Sequence, residues 1–420
     1  IDGEGERRCV FVNSYAKGGS CTFSDFRFQN GLAPSHSGGT VFGGGVALMG
    51  RGHALETCLV FNSVATYGGG VYIASHSSFP PTVIDNCVIN GCHATNGGGL
   101  YVSDANVSIT NTTAVSANTA DNRGGGIYAT QSSFIINEAR ILSNSAHQGG
   151  GAFFTNQPSG LETSILNCTV NYNSATHLGA GFAFYSGGFY EILDTSFEYN
   201  NAIASNGGQG GGGGIFNDST NPYIEDCSFQ HNTATSNGGG IYNWSSAPSI
   251  DNCDFKSNIA NSGGGIRTYN GNGPFVEFST FCNNSSNIAG PYVDGDDNCL
   301  ANSCNDWNQD GIYDECVIQQ FNVYQGMSIQ DAINEASSGD EIIIHDGEWT
   351  RNDGDPFAFV DGKELWIHSA NDSTILNGNF TVGPLIVIVD SPGTRIEGLH
   401  LKNSYSESTA AGIESLSDVL

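Results

Sequence analysis

The sequence predicts an all-β chain: a right-handed parallel β-helix solenoid, a short calcium-loop linker, and the start of a second β-helix with an N-terminal capping helix. Three observations point there. A glycine triplet followed by a mostly apolar residue recurs along the chain, from Gly43-Gly44-Gly45-Val46 to Gly263-Gly264-Gly265-Ile266, with the apolar residues 25 to 33 positions apart. Upstream of each triplet lies a second signature, [Cys/Thr/Ala]-x-apolar-x-x-Asn-x-Ala, clearest as Cys168-Val170-Asn173-Ala175, Thr195-Phe197-Asn200-Ala202, Cys227-Phe229-Asn232-Ala234 and Cys253-Phe255-Asn258-Ala260. The composition is wrong for helices, with 58 Gly against 13 Lys plus Arg.

The repeat reads as coils of three short strands with tight bends. Short apolar alternations between Gly and Asn are strand and turn signals, and Asn and Gly supply the positive φ of bends. A unit of about 25 residues is too short for a propeller blade, and it lacks the fixed leucines of a leucine-rich repeat. Coils stacked at roughly 4.8 Å place equivalent residues above one another. Each column then becomes a ladder: Ile and Phe inside, a small Cys/Thr/Ala ladder, and an Asn ladder with Asn200, Asn232 and Asn258 turned toward the stack. About ten coils are expected over residues 1–297. The Gly-Gly-Gly-Ile and Phe-x-x-Asn elements resemble the repeats of chlamydial polymorphic outer-membrane proteins, and more widely the pectin-lyase-like superfamily. That resemblance implies the architecture. It is weak for activity, because such folds carry lyases, hydrolases and adhesins alike.

The formal net charge is −29, which disfavours nucleic acid as a partner. No apolar run is long enough to span a membrane. Twelve Cys permit pairing in an oxidising compartment. Cys58 with Cys87 and Cys227 with Cys253 fall on neighbouring coils, where ladder geometry suits disulfides poorly, so the latter pair is expected as free core thiols. Cys9 with Cys21, and Cys304 with Cys316 or Cys299, are the better bridge candidates.

Residues 298–317 break the repeat. Asp306, Asn308 and Asp310 fall at positions 1, 3 and 5 of a calcium loop, Gly311 at 6, the Ile312 carbonyl at 7 and Asp314 at 9. Val317 stands where an EF-hand has its bidentate acid, and Glu315 is a substitute. The segment resembles thrombospondin type-3 and dockerin-like loops and the Asp-Gly-x-x-Asp-Glu-Cys repeats of planctomycete surface proteins. The resemblance implies a structural Ca2+.

Residues 318–420 read as the cap and first coils of a second β-helix. Ser328 caps a short amphipathic helix whose Ile329, Ala332, Ile333 and Ala336 share a face. Strands follow at 341–344, 365–367 and 385–389. The run from Ile375 to Asn403 parallels that from Ile1 to Asn30, which suggests that Ile1 corresponds to Ile375 and that the chain is a window on a tandem array. The partners expected are further domains or copies end to end, and a polysaccharide or cell-surface matrix.

Two surface features are candidate sites. Glu225, Asp226, Asp251 and Asp254 occupy one corner of adjacent coils, with Arg267 the only base close in sequence. Two carboxylates about 5 Å apart suit acid–base work on a glycosidic bond, but a solvated corner explains them as well. Tyr72, Tyr101, Tyr128, Phe153, Phe216 and Tyr242 each follow an inward residue and so point outward. That makes either a sugar-stacking stripe or a ladder supporting the turns. The histidines are scattered without zinc spacing, and Asn-x-Ser/Thr occurs as often as this composition dictates. The expected function is that of a secreted, non-enzymatic surface protein, structural or adhesive. A polysaccharide lyase or hydrolase, or a carbohydrate-binding module using the aromatic stripe, are the alternatives.

Overall fold

The computed structural model describes residues 1–15, 19–33, 41–76, 78–157, 162–204, 210–295, 298–301, 320–336, 340–351, 355–362, 365–371, 373–379, 383–389, 394–403 and 413–416. The chain divides into two compact units, 1–315 and 316–420.

Each repeat of the first unit folds into as many as four short strands, where three were expected. One coil shows them all: Ile127–Thr130, Ser133–Asn137, Arg140–Leu142 and Ser145–Gln148. Each pairs in parallel with its counterpart one coil later. The outcome is a parallel β-helix with three eleven-stranded faces and one seven-stranded face, termed first to fourth in that chain order. The fourth arises because the residues after the Asn bend run extended instead of looping. Their small residues turn inward, and Ala175, Ala180, Ala202, Ala234 and Ala260 form a separate buried cluster. The rungs number eleven because degenerate copies pair at both ends. The last uses Ile288–Ala289, Val293–Asp294 and Cys299–Leu300. Pairing of Thr280 with Cys299 carries the solenoid past 297, into the segment read as linker.

Alternation along each strand decides what is inside. On the second face Ile84, Ile109, Ile136, Ile165, Ile192, Ile224 and Ile250 are fully buried. On the third face aliphatic residues give way to Phe197, Phe229, Phe255 and Phe281, whose rings stack at 4.9, 4.8 and 4.5 Å. Burial of each such side chain contributes about 1.5–3 kcal/mol.

The Asn column is a continuous hydrogen-bonded ladder. Asn118, Asn144, Asn173, Asn200, Asn232 and Asn258 are all fully buried. In each, Nδ2 donates to a backbone carbonyl of the previous rung and to Oδ1 of the next Asn. Asn232 does so to Phe197 O at 2.8 Å and to Asn258 at 3.0 Å. Its Oδ1 accepts both Nδ2 and the backbone N–H of Asn200 at 3.0 Å. Asn supplies the positive φ at other bends, as at Asn86, Asn167 and Asn252, but the ladder Asn is not itself the left-handed residue. The left-handed residue is the one before it: Ala117, Ser143, Tyr172, Tyr199, His231 and Ser257. That residue points out, so its identity is free, while the Asn side chain closes the bend from within.

The small-residue column uses the same device one bend earlier. The backbone N–H of Cys168 donates to Thr195 Oγ1 at 3.2 Å, and that of Cys253 to Ser279 Oγ at 3.1 Å. Cys168 Sγ donates to Leu166 O, and Thr195 Oγ1 to Leu193 O. Any small side chain that both donates and accepts fits, which is why Cys, Thr and Ser interchange. Cys58, Cys87, Cys227 and Cys253 are buried free thiols in this column. Cys9 and Cys21 are also free, contrary to the expected bridge. They precede strands of different faces, Val10–Asn13 and Thr22–Ser24. Cys282 and Cys299 are disulfide-bonded, and Cys304 and Cys316 lie outside the described residues.

The second unit has the same plan. Its faces hold four, three and three strands, beginning at Gln320–Val323, Gly347–Thr350 and Ala358–Asp361. The helix Ile329–Glu335 is capped by Ser328, whose side chain accepts the Asp331 N–H, and it buries Ile329 and Ile333. The Gln330 side chain ties it to the Phe359 backbone, Nε2 donating to the carbonyl at 3.1 Å and Oε1 accepting the N–H at 2.7 Å. The Ile1–Ile375 correspondence has a counterpart in hydrogen bonding: Gly3 N–H donates to Gln29 O, and Gly378 N–H to Lys402 O, both at 2.9 Å.

Candidate functional site

The acidic corner is real in part. Glu225 and Asp251 are register partners at the end of the second face, and Glu277 continues the column. Neighbouring strands place them roughly 4.8 Å apart. Asp226 is exposed at the turn and accepts from Asn252 Nδ2. Asp254 sits round the corner on the third face, paired in register with Ser228. Arg267 is not there. It lies on the first face between Tyr242 and Ala289. Among the described residues no ion pair reaches Glu225, Asp226 or Asp251. The corner brings carboxylates together, and the basic side chain nearest to it in register is Lys256, two residues from Asp254 on the same side of its strand.

The aromatic stripe points outward as alternation requires, but most of it is not exposed. Tyr72, Phe153, Phe216 and Tyr242 are buried, and Tyr101 and Tyr128 half-buried. Tyr72, Tyr101, Tyr128 and Phe153 stack rung on rung, at 5.5, 4.8 and 5.5 Å. The fourth face covers them. Tyr67 packs on Tyr101 at 4.9 Å, Leu178 packs on the cluster of Phe153, Phe216 and Tyr242, and Arg123 lies over Phe153. Burial pushes the Tyr72 hydroxyl up to about 12. The stripe is a second, smaller core, which corrects the reading of it as a free stacking surface.

The calcium-loop residues Asp306, Asn308, Asp310, Ile312, Asp314 and Glu315 lie outside the described residues. Among the described residues no cluster of three or more His, Cys, Asp or Glu is arranged to hold a metal ion.

With the ladders on the page, the comparison with known families has a clear meaning. The sequence pattern described as "Right handed beta helix region" matches residues 9–229. The chain belongs to that family. The helix is therefore right-handed, as expected. Within this right-handed β-helix, the Chlamydia polymorphic membrane protein repeat matches residues 226–243. Those residues hold one full ladder unit, from Cys227 through Asn232 to the triplet before Ile241. No curated protein matches the chain. Among solved structures, the PL6 family alginate lyase AlyGC is similar at 10% identity over 97% of this chain and 73% of that one, with a TM-score of 0.18. A mutant of that lyase matches at 10% identity over the same shares, with a TM-score of 0.19. Likeness at that level says nothing of chemistry here.

Reading the β-helix by its first outward column missed the second. Two residues further along each first-face strand stand Tyr185, Asp218, Trp244 and Tyr269. Tyr269 is 44% exposed and stacks on the half-buried Trp244 at 4.7 Å. The available signal was aromatic residues at the end of the same strands, Trp244 and Tyr269, without the periodicity that made the first column visible.

Two of the core thiols are held protonated. Burial pushes Cys92 up to about 12 and Cys168 up to about 11, so neither offers a thiolate near neutral pH.

Proposed function

We propose that this right-handed β-helix is a non-enzymatic extracellular surface protein, serving as a structural or adhesive solenoid. One observation carries the reading: the residues that define the repeat are consumed in holding rung to rung. The Asn column is buried and hydrogen-bonded throughout, the small column satisfies itself, and the aromatic column is covered. What remains outside is an acidic surface, on which no ion pair reaches Glu225, Asp226 or Asp251 among the described residues. The polymorphic membrane protein repeat within it supports a surface setting.

The test is incubation of the full chain with acidic polysaccharides and measurement of chain shortening. No shortening is expected, for the native chain or for Asp251→Asn. Depolymerisation that Asp251→Asn abolishes would overturn the reading in favour of a lyase or hydrolase.

We also propose that the segment 298–317 binds Ca2+ through Asp306, Asn308, Asp310, the Ile312 carbonyl, Asp314 and Glu315. The donor set supports this: hard oxygen ligands at alternate positions followed by glycine suit a hard cation. Chelation should speed proteolysis within 302–317 and leave the ladder region uncut. Equal cleavage with and without chelator, or unchanged Ca2+ binding in Asp306→Ala, would refute it.

A further inference from the structure

The outer side of the first face changes character at its last full rungs. The first outward column stays covered as far as Tyr242, whereas the second column, two residues further along each strand, ends on the half-buried Trp244 and on Tyr269, which is 44% exposed. Trp244 has Tyr269 against one side of its indole. Its indole also meets the Tyr242 ring edge-on at 6.3 Å, and on the other side its register partner is the short Asp218. Asp218 is half-buried and accepts from Ser219 Oγ at 2.9 Å.

Beside this pair, on the adjacent column, stands Arg267. It is half-buried, and its Nε is enclosed without a hydrogen-bond partner. No ion pair reaches it among the described residues, although the chain carries 42 Asp plus Glu. Arg267 follows Tyr242 in the ladder. Loss of solvent pushes the Tyr242 hydroxyl up to about 12, while Arg267 pulls it down and Tyr269 and Asp218 push it further up. Arg267 and Tyr269 stand two residues apart on one side of their strand, and Trp244 lies in register between Asp218 and Tyr269, so the four side chains share one patch.

We propose that Asp218, Trp244, Arg267 and Tyr269 form a binding face for an anionic saccharide. The sugar's apolar C–H face would lie on the rings, its hydroxyls would donate to Asp218, and its carboxylate or sulfate would meet Arg267. This rests on the adhesive reading above and names the ligand class that it requires. The charge argument selects the anion: a partly desolvated guanidinium without a counter-ion gains a charge-assisted hydrogen bond on binding. The rings select a sugar over an extended peptide. Trp244 is paired in register on both sides, with Asp218 and with Tyr269, so an extended peptide cannot add a strand at its backbone. The surrounding negative charge is screened beyond about 8–10 Å at physiological salt, so the local Arg267 decides.

The test is calorimetric titration of the full chain with oligogalacturonate and with dextran sulfate, against neutral malto-oligosaccharide. Native protein should bind at least one of the anionic probes and bind the neutral one about tenfold more weakly or less. Arg267→Gln should weaken anionic binding by about tenfold, the loss of one charge-assisted bond, and leave neutral binding unchanged. Trp244→Ala should weaken both. Tyr269→Ala, at an exposed ring, serves if Trp244→Ala does not fold. Native protein that binds neither anionic probe, or variants that bind as the native chain does, would overturn the proposal. Binding accompanied by shortening of the probe would overturn the non-catalytic reading and leave the binding face standing.

Discussion

Asn232→Leu should lower the unfolding free energy of the first unit by about 2–6 kcal/mol, the sum of two buried groups left without partners at ~1–3 kcal/mol each. Those groups are identifiable. The backbone N–H of Asn200 loses Asn232 Oδ1, and the carbonyl of Phe197 loses Asn232 Nδ2. Asn258 keeps the backbone N–H of residue 232, so the damage is confined to the rung before. The control is the next residue out, His231→Ala. His231 is in the left-handed region with φ 53, yet Ala117 holds the equivalent place with the same φ of 53, so alanine is acceptable there. That variant should lose under about 1 kcal/mol, as surface substitutions do. Urea unfolding followed by circular dichroism reads both, and hydrogen exchange around Asn200 localises the effect. Stability is nearly a sum over rungs in such solenoids, so the exchange pattern should change most near rung 200–232. An Asn232→Leu protein as stable as the native chain would remove the ladder from the account of what holds the coils together.

The parallel β-helix was legible because each inward column repeats one chemistry at one spacing. Ile before the small residue, Phe or an aliphatic after it, then Asn, is a pattern that a stack of parallel strands makes useful and that other folds do not require. The fourth face was not legible. Segments such as Ser145–Gln148 carry polar residues and look like loop, and only the single inward Ala146 marks them as strand. The aromatic stripe was misread for the same reason. Alternation correctly put Phe153 outside the main core, but outside the core is not the same as facing water when another strand lies across it. The bends were legible in part. Asn does hold the positive φ at Asn86, Asn167 and Asn252, whereas at the ladder bends Tyr172 and Tyr199 adopt it because the buried Asn after each holds the backbone there. At the acidic corner, sequence proximity suggested Arg267 as a partner for Asp251. The two fall on different faces, because a turn separates their strands in every coil.

Glycine at the head of each triplet is the position where the smallest substitution should do the most harm, and Gly124→Ala should destabilise the first unit by about 2–5 kcal/mol. Two effects add. Gly124 has φ +64, which costs an L residue with a Cβ about 1–2 kcal/mol. A Cβ there would also sit 2.3 Å from Ile127 O and 2.8 Å from the Tyr128 nitrogen, both backbone atoms that cannot rotate away. Relieving such a contact costs about 1–3 kcal/mol. The left-handed conformation alone does not demand glycine, since Ala117 and Ser143 adopt it elsewhere in the same coils. The carbonyl contact does, and the head position is Gly in every triplet from Gly43 to Gly263. The middle position behaves differently. It departs once, at Ala180, in the coil followed by the longest spacing. There the fourth-face strand is cut to Asn201–Ala202, and the Ala180 methyl packs into the alanine cluster. Ala180→Gly should therefore lose only about 0.8 kcal/mol, the burial of one methyl group. Thermal and urea unfolding of the two variants should separate them by more than their errors. A Gly124→Ala chain that unfolds with Ala180→Gly would mean that the backbone between rungs gives way easily, and that the triplet is kept for some other reason than close approach.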